Sequence, residues 1–253
     1  MNARTLCWLV AGTLVAGLAC ARDEVEQGAA DACAGVNVLT EGERAEGWML
    51  LFDGEDLSGW HGYNGGPLEW WTVEDCAIKS LGTEGNYGGD MRADLVTDGE
   101  YTNFEFSIDW KATEGGNSGL MYGVIEDEKY GAAWMTGPEY QLVDDTGFPE
   151  ELAEVNKTAA DYDVRAAAAD KPLNPVGEWN TSRIVVNGEH VEHWLNGTKV
   201  LEFERWNDEW ESLKNASKWG EYPDYGTAAT GRIVIQDHGS VFWFRNVKIR
   251  EIT

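Results

Sequence analysis

The sequence predicts an all-β sandwich, and three observations carry the prediction. From Gly47 onward, short runs of strand-forming residues are separated by Gly, Asn and Asp. Phe104-Glu105-Phe106-Ser107-Ile108-Asp109-Trp110 alternates without a break, which places Phe104, Phe106, Ile108 and Trp110 on one face. Asn187-Gly188 and Asn196-Gly197 join such runs, and Asn-Gly is the strongest short hairpin signal. Many short strands with frequent turns make a sandwich or a barrel.

Residues 1–19 read as an export signal. Arg4 is the single charge before Arg22, and Leu6 to Leu18 is an apolar run too short to span a bilayer. Two cleavage points fit. A cut before Cys20 would leave a lipidated cysteine and a cell-envelope lipoprotein, periplasmic or anchored in an outer membrane. A cut after Ala21 would release a soluble exported protein. The lipoprotein reading is preferred, although Gly17 stands where such signals carry Leu. Residues 20–46, acidic and rich in Ala and Gly, are expected to be a flexible tether. Residues 47–253 are then the domain.

Within it, Trp48 to Phe52 is a buried-strand candidate, followed by 70–73, 104–110, 120–124 and 140–143. The later runs are 183–186, 191–195, 199–203, 233–236, 241–245 and 247–249. Two segments break the pattern. Residues 149–171, polar and Ala-rich, predict a long loop with a helical turn. Residues 207–218 predict a helix capped by Asn207, with Trp206, Trp210 and Leu213 on one face.

Composition narrows the function. Forty-five acidic against 19 basic residues give a net charge of -26. That excludes nucleic acid, whose phosphates need a basic surface. It leaves contact with a membrane only through the N-terminal lipid. Thirteen Trp, nine Tyr and seven Phe supply a core and also flat faces suited to sugar rings. Cys33 and Cys76 match no metal spacing. In an oxidising compartment they could pair or stand as separate thiols.

No nucleophile elbow, phosphate loop, dinucleotide fingerprint or metalloprotease helix occurs. The candidates are polar residues placed on apolar strands, where burial without partners is costly. In Glu139-Tyr140-Gln141-Leu142, alternation puts Glu139 and Gln141 on one face. A carboxylate beside an amide makes a clamp for sugar hydroxyls or a held general base. In Gln236-Asp237-His238-Gly239, Gln236 and His238 share a face. A histidine at a strand end, with an ordinary pKa of about 6.5, suits proton transfer. Asn117 sits in Gly115-Gly116-Asn117-Ser118-Gly119, whose glycines permit close ligand approach. His193 is either a further sugar contact or a core histidine. Arg245, inside an aromatic strand, requires a carboxylate or a ligand oxygen.

These segments occur in one order with others: Leu-Phe-Asp-Gly-Glu-Asp-Leu-Ser-Gly-Trp (51–60), Gly-Asn-Ser-Gly (116–119), Glu-Tyr-Gln (139–141), Gly-Glu-Trp-Asn (177–180), His-Trp-Leu-Asn-Gly (193–197), Gln-Asp-His-Gly (236–239) and Trp-Phe-Arg-Asn-Val (243–247). Together they resemble the 3-keto-disaccharide hydrolase domain family across about residues 46–252. The resemblance implies a concanavalin-like jelly roll of two antiparallel sheets, and substrates that are glycosides already oxidised at sugar C3. It implies catalysis by removal of the C2 proton, elimination at C1 and hydration. Glu139 and His238 would then be the acid and base, in an order left open. Asn117, Gln141, His193, Gln236 and Arg245 would bind the sugar. A divalent ion is a further expectation, at Asp237 or at a second site of Asp144 with Glu139, since metals often support enolate chemistry. The chain departs from the family's usual look in the acidic stretch Glu126-Asp127-Glu128 and in lacking an Arg between Gly119 and Arg165.

Two other readings stand beside this one. One is a carbohydrate-binding lipoprotein without catalysis. The other is an ordinary glycosidase, which needs two carboxylates about 5 to 9 Å apart across a cleft; Glu139 with Asp144 is the pair to test. The hydrolase reading requires Glu139, Gln141 and His238 to meet in one pocket.

Overall fold

A computed structural model describes residues 33–82 and 93–252. The export signal and Cys20 lie outside the described residues. Thirteen strands build two antiparallel sheets: β1 Met49–Leu50, β2 Trp60–Gly62, β3 Trp71–Glu74, β4 Ala77–Ser80, β5 Leu95–Thr97, β6 Phe104–Ala112, β7 Asn117–Val124, β8 Glu139–Val143, β9 Asn180–Asn187, β10 His190–Leu195, β11 Thr198–Glu204, β12 Arg232–Ile235 and β13 Phe242–Glu251. The larger sheet runs β11-β10-β9-β6-β13-β4-β3, with β1 added on β13. The smaller runs β2-β5-β12-β7-β8. This is the expected jelly-roll sandwich.

The core lies between the sheets and follows the alternation. Phe104, Phe106, Ile108 and Trp110 of β6 are all buried. They meet Leu120 and Tyr122 of β7 and Tyr140 and Leu142 of β8 in one cluster. Each such side chain contributes about 1.5 to 3 kcal/mol by leaving water. Because β7 and β8 send their even-numbered residues inward, Asn117, Gly119, Glu139 and Gln141 must point to the outer face of the smaller sheet. That parity places the site.

Several expectations need correction. Trp48 to Phe52 is not a buried strand. Only Met49 and Leu50 pair, and Met49 is exposed. The two runs at 241–249 are one strand, β13, with a bulge between Arg245 and Lys248 where Asn246 takes φ 51°. Residues 33–46 do not hang free as part of a tether. Asn37 and Asn246 exchange backbone-to-side-chain hydrogen bonds of 2.7 Å in both directions, filling the bulge. Leu39 is buried, and Cys33 forms a disulfide with Cys76 across a Cα separation of 5.8 Å. Residues 41–45 form a short helix, α1, closed by a Thr40–Glu43 capping box.

The predicted second helix is α2, Asp208–Ala216, capped by Asn207 accepting from the Trp210 amide. A 3-10 turn, Lys218–Glu221, follows it. Residues 149–171 are irregular around one 3-10 turn at Glu154–Asn156. This loop lies along the outer edge of β8, where the Gln141 amide donates to the Ala160 carbonyl, the Ala159 amide to the Gln141 carbonyl and the Tyr162 amide to the Glu139 carbonyl. Among the described residues no helix is long and apolar enough to cross a membrane.

Candidate active site

Two adjoining hollows open on the outer face of the smaller sheet. One, of about 260 Å³, is lined by Asn117, Glu139 and Gln141 from the sheet and by Trp134, Tyr162, Lys218, Trp219 and Tyr222 from loops. The other, of about 420 Å³, includes Tyr63, Asn64, Asp94 and Asp237. Trp134, Gln236 and His238 belong to both, so they form the waist of one two-lobed cleft. Glu139, Gln141 and His238 therefore meet, with Asn117 and Gln236 beside them.

Backbone bonding fixes the loop that carries His238. The Gln236 amide donates to the Gly119 carbonyl at 2.9 Å, and Ser118 Oγ donates to the Gln236 carbonyl at 2.8 Å. The Asp237 amide donates to Asp94 Oδ1 at 2.9 Å, and the Gly239 amide donates to Asp237 Oδ1 at 3.0 Å. The Asn117 amide reaches Ser240 Oγ at 3.0 Å. The histidine thus stands on a turn tied to β7 on one side and to Asp94 on the other.

Glu139 lies in the floor, only 4% exposed. Burial pushes its carboxyl up to about 8; the Lys218 charge opposes that rise and Asp94 adds to it. Asp94 is raised to about 7, first by desolvation, against the hydrogen bond from the Asp237 amide and with the charge of Asp237. His238 is exposed at the rim, yet the protein around it disfavours the imidazolium and lowers its pKa, with Asp237 opposing and Lys218 assisting. At neutral pH the floor holds a protonated carboxyl and the rim an unprotonated imidazole. This is the separation that acid and base roles require.

One wall is aromatic. Trp134 packs edge-on against Tyr222, with ring centroids 5.1 Å apart, and Trp219 stacks on Tyr225 at 4.3 Å. The Trp219 indole N–H donates to the Tyr162 carbonyl at 2.8 Å, which ties the turn after α2 to the loop beside β8. Trp219 and Tyr225 are buried behind this wall, and the half-buried faces of Trp134 and Tyr222 suit the apolar sides of sugar rings.

Three expected residues lie elsewhere. His193 faces inward from β10 and is fully buried in the core. Its Nδ1 pairs with the Ala159 carbonyl at 2.9 Å, its Nε2 lies 3.4 Å from the Tyr122 hydroxyl, and burial lowers its pKa to about 4. It is a neutral core histidine, not a sugar contact. Arg245 projects from the outer face of the larger sheet, 3.9 Å over the Trp179 ring and 3.8 Å from Asp109. Asp144 terminates β8. Its Oδ1 accepts from the Thr146 and Gly147 amides and the Thr146 hydroxyl, and its Oδ2 from the Gly115 amide. It lines a separate hollow of about 270 Å³ with Trp110 and Leu173. The Glu139–Asp144 pair of an ordinary glycosidase is therefore split between two hollows.

With its oxygens turned to N–H and O–H donors, Asp144 does not fit a cation. Among the described residues, one group has three ligand atoms close enough for a metal: His190, Glu192 and Glu202, on the outer face of the larger sheet. Lys199 already pairs with Glu192 and Glu202 there, and His190 with Glu204. Spacing would allow an ion at that surface group, but it is far from the cleft in the fold. Asp237 lies in the cleft, where its carboxylate holds the Gly239 amide.

Sequence reading missed Asp94, Trp134, Tyr162, Lys218, Trp219 and Tyr222. All stand outside the recognised strand words, in segments that only tertiary structure brings to the sheet. It also missed the role of Gly119. A Cβ built there would lie 2.0 Å from Glu139 Oε1 and 2.7 Å from its Cδ. The Gly-Asn-Ser-Gly word carried that signal, because a glycine in a strand marks close approach.

Fold and cleft define a β-sandwich with a polar, aromatic-walled cleft on one sheet face. Residues 47–250 match the model of the 3-keto-alpha-glucoside-1,2-lyase-like domain, and the chain belongs to that family. It is 34% identical over 229 residues to a 3-keto-disaccharide hydrolase of Bacteroides thetaiotaomicron, covering 81% of this chain and 79% of that one. A candidate glycosyl hydrolase of Parabacteroides distasonis superposes with a TM-score of 0.79 at 42% identity, over 86% of this chain and 100% of that one. A second from the same organism gives 0.61 at 28% identity, over 81% of this chain and 99% of that one.

Proposed function

We propose that the cleft hydrolyses 3-keto-glycosides by elimination and hydration, and that this work is done outside the cytoplasm. The observation that carries the reading is the meeting of a buried Glu139 with His238 in one cleft, where burial raises the carboxyl and the surrounding protein lowers the imidazole. A ketone at C3 acidifies the C2 proton. The His238 imidazole takes that proton, and the electron pair of the C2–H bond becomes an enolate with its charge on O3. The enolate re-forms the C3 carbonyl as C1=C2 forms and the C1–O bond breaks. Glu139 protonates the departing oxygen. Glu139, now a carboxylate, then takes a proton from water as hydroxide adds to C1. The imidazolium returns a proton to C2. The sum is hydrolysis, and both residues end as they began. Asn117, Gln141 and Gln236 hold the ketone and hydroxyls. Should a divalent ion bind in the cleft, it would supply charge for the enolate, with Asp237 as the expected ligand of the two.

The Cys33–Cys76 disulfide supports an oxidising compartment. Export by residues 1–19 and lipid attachment at Cys20 belong to the same proposal.

The test is release of the leaving group from a 3-keto-glucoside beside its unoxidised parent, across pH. Only the keto substrate is expected to turn over. The rate should fall on the acid side as His238 gains its proton, below its ordinary range. It should fall again as pH rises through about 8, where Glu139 loses its proton. Turnover of the parent would favour an ordinary glycosidase. Binding of both sugars without turnover would favour the non-catalytic reading.

A further inference from the structure

The elimination proposed above builds negative charge on O3, and a site that runs it needs a fixed positive charge or donors there. The chain as a whole carries a net charge of -26. The two lobes are lined by Glu139, Glu221, Asp94 and Asp237, and among the described lining residues Lys218 is the one Lys or Arg. Its ammonium rests 4.2 Å from the Tyr162 ring centroid and 4.3 Å from that of Trp219. Among the described residues no carboxylate pairs with it. Lys218 is exposed at the cleft, and an ammonium held on two aromatic faces keeps its charge there without being neutralised before substrate arrives.

Its position is fixed through the backbone. Ser217 ends α2, and its hydroxyl accepts from the Trp219 amide at 3.2 Å. The Lys218 amide donates to Asp163 Oδ2 at 3.0 Å. The next side chain, Trp219, is anchored at the Tyr162 carbonyl. The turn therefore aims the lysine into the lobe that holds Glu139 and Gln141.

We propose that Lys218 is a catalytic residue of the elimination, its ammonium holding the O3 oxyanion of the enolate. The inference rests on the 3-keto reading of the cleft. No covalent bond to the lysine is involved. The ammonium stays protonated throughout, and the charge it faces appears when C2 loses its proton and disappears when the C1 substituent leaves. Burial lowers the Lys218 pKa, while Glu139 and Asp163 raise it. Its charge in turn lowers the pKa of both Glu139 and His238.

The experiment compares Lys218→Met and Lys218→Arg with the unaltered protein on a 3-keto-glucoside. Lys199→Met, on the far face of the larger sheet, serves as a control for net charge. Each variant is read at its own pH optimum, and folding is checked by thermal melting. Lys218→Met is expected to lose about 100-fold or more in kcat, the scale of losing one oxyanion donor, with KM changed only severalfold. Lys218→Arg should recover part of the loss, and Lys199→Met should match the unaltered protein. Both limbs of the pH profile should move up in Lys218→Met, because the cation had depressed both groups. If kcat at the optimum stays within about threefold in Lys218→Met, or if the loss is only the pH shift, the lysine is not catalytic. Should Lys218→Met fail to fold, Lys218→Arg decides. A loss in KM alone, with kcat kept, would overturn the proposal. An unaltered protein that leaves the keto substrate intact would remove the 3-keto reading and this inference together. Turnover by that protein with no effect at Lys218 removes the inference alone.

Discussion

Gly119→Ala is expected to reduce kcat/KM at least about 100-fold while the protein still folds. The added methyl group would stand 2.0 Å from Glu139 Oε1, 2.7 Å from Cδ and 2.9 Å from Cγ, so the whole side chain must rotate away. Gly119 has no positive φ, and alanine suits its extended backbone. The damage is therefore confined to the carboxyl. A displacement of about 1 Å at a reacting group is enough to cost two orders of magnitude. The thermal midpoint should change little, because the clashing atoms all belong to one side chain, which lines the cleft and can turn toward it. Activity near that of the unaltered protein in Gly119→Ala would mean that Glu139 need not sit where it does, and its assignment as the acid would fall.

Glu139→Gln is expected to remove activity and to stabilise the fold at alkaline pH. The loss should be about 100- to 10,000-fold, the range for a general acid or base. The sign of the stability effect follows from the direction of the shift. The folded carboxyl titrates at about 8 against 4.5 for its unperturbed value. The unfolded chain therefore releases its proton first, and the folded state loses stability as pH rises from about 4.5 toward 8. At pH 7 the penalty is of order 3 kcal/mol. Glutamine carries no such charge. Its melting midpoint should exceed that of the unaltered protein by several degrees at pH 8, with little difference near pH 5. A midpoint that does not rise at pH 8 would show that the carboxyl is better solvated than its burial indicates. The pairing of lost activity with gained stability is the mark of a group held in a costly place for its chemistry.

Alternation is why half of the cleft was readable in the sequence. Glu139 and Gln141 share a parity opposite to Tyr140 and Leu142, and so do Asn117 and Gly119 against Leu120. Once the aromatic residues are assigned to the core, the polar ones must face out. Alternation gives parity without saying which faces are covered. His193 shares a face with Val191 and Leu195, and that face is the core, so the histidine is buried by the logic that exposes Glu139. Arg245 also obeys alternation, but on the larger sheet, away from the Glu139 cleft, where Trp179 receives it. Asp144 follows Val143 out of β8 into a turn, and its apparent nearness to Glu139 in sequence becomes a separation between two hollows. Lys218 is the last residue of the helix that the sequence predicts over 207–218, and Trp219 lies just beyond it. Only the fold shows that the turn after α2 covers the sheet. Asn37 had no signal at all, since its partner, Asn246, is 209 residues away.

The central claim is that hydrolysis passes through loss of the C2 proton, and deuterium at C2 measures it directly. Cleavage of a 3-keto-glucoside would be run in D2O to partial conversion and the released sugar analysed by NMR or mass spectrometry. The same sugar incubated without protein would give the background exchange. His238 is exposed and trades its proton with solvent, so the account predicts a product carrying deuterium at C2 well above background, with none at C2 of the unoxidised parent. A product that forms at full rate and keeps its original hydrogen at C2 would contradict elimination and place the chemistry at C1 alone.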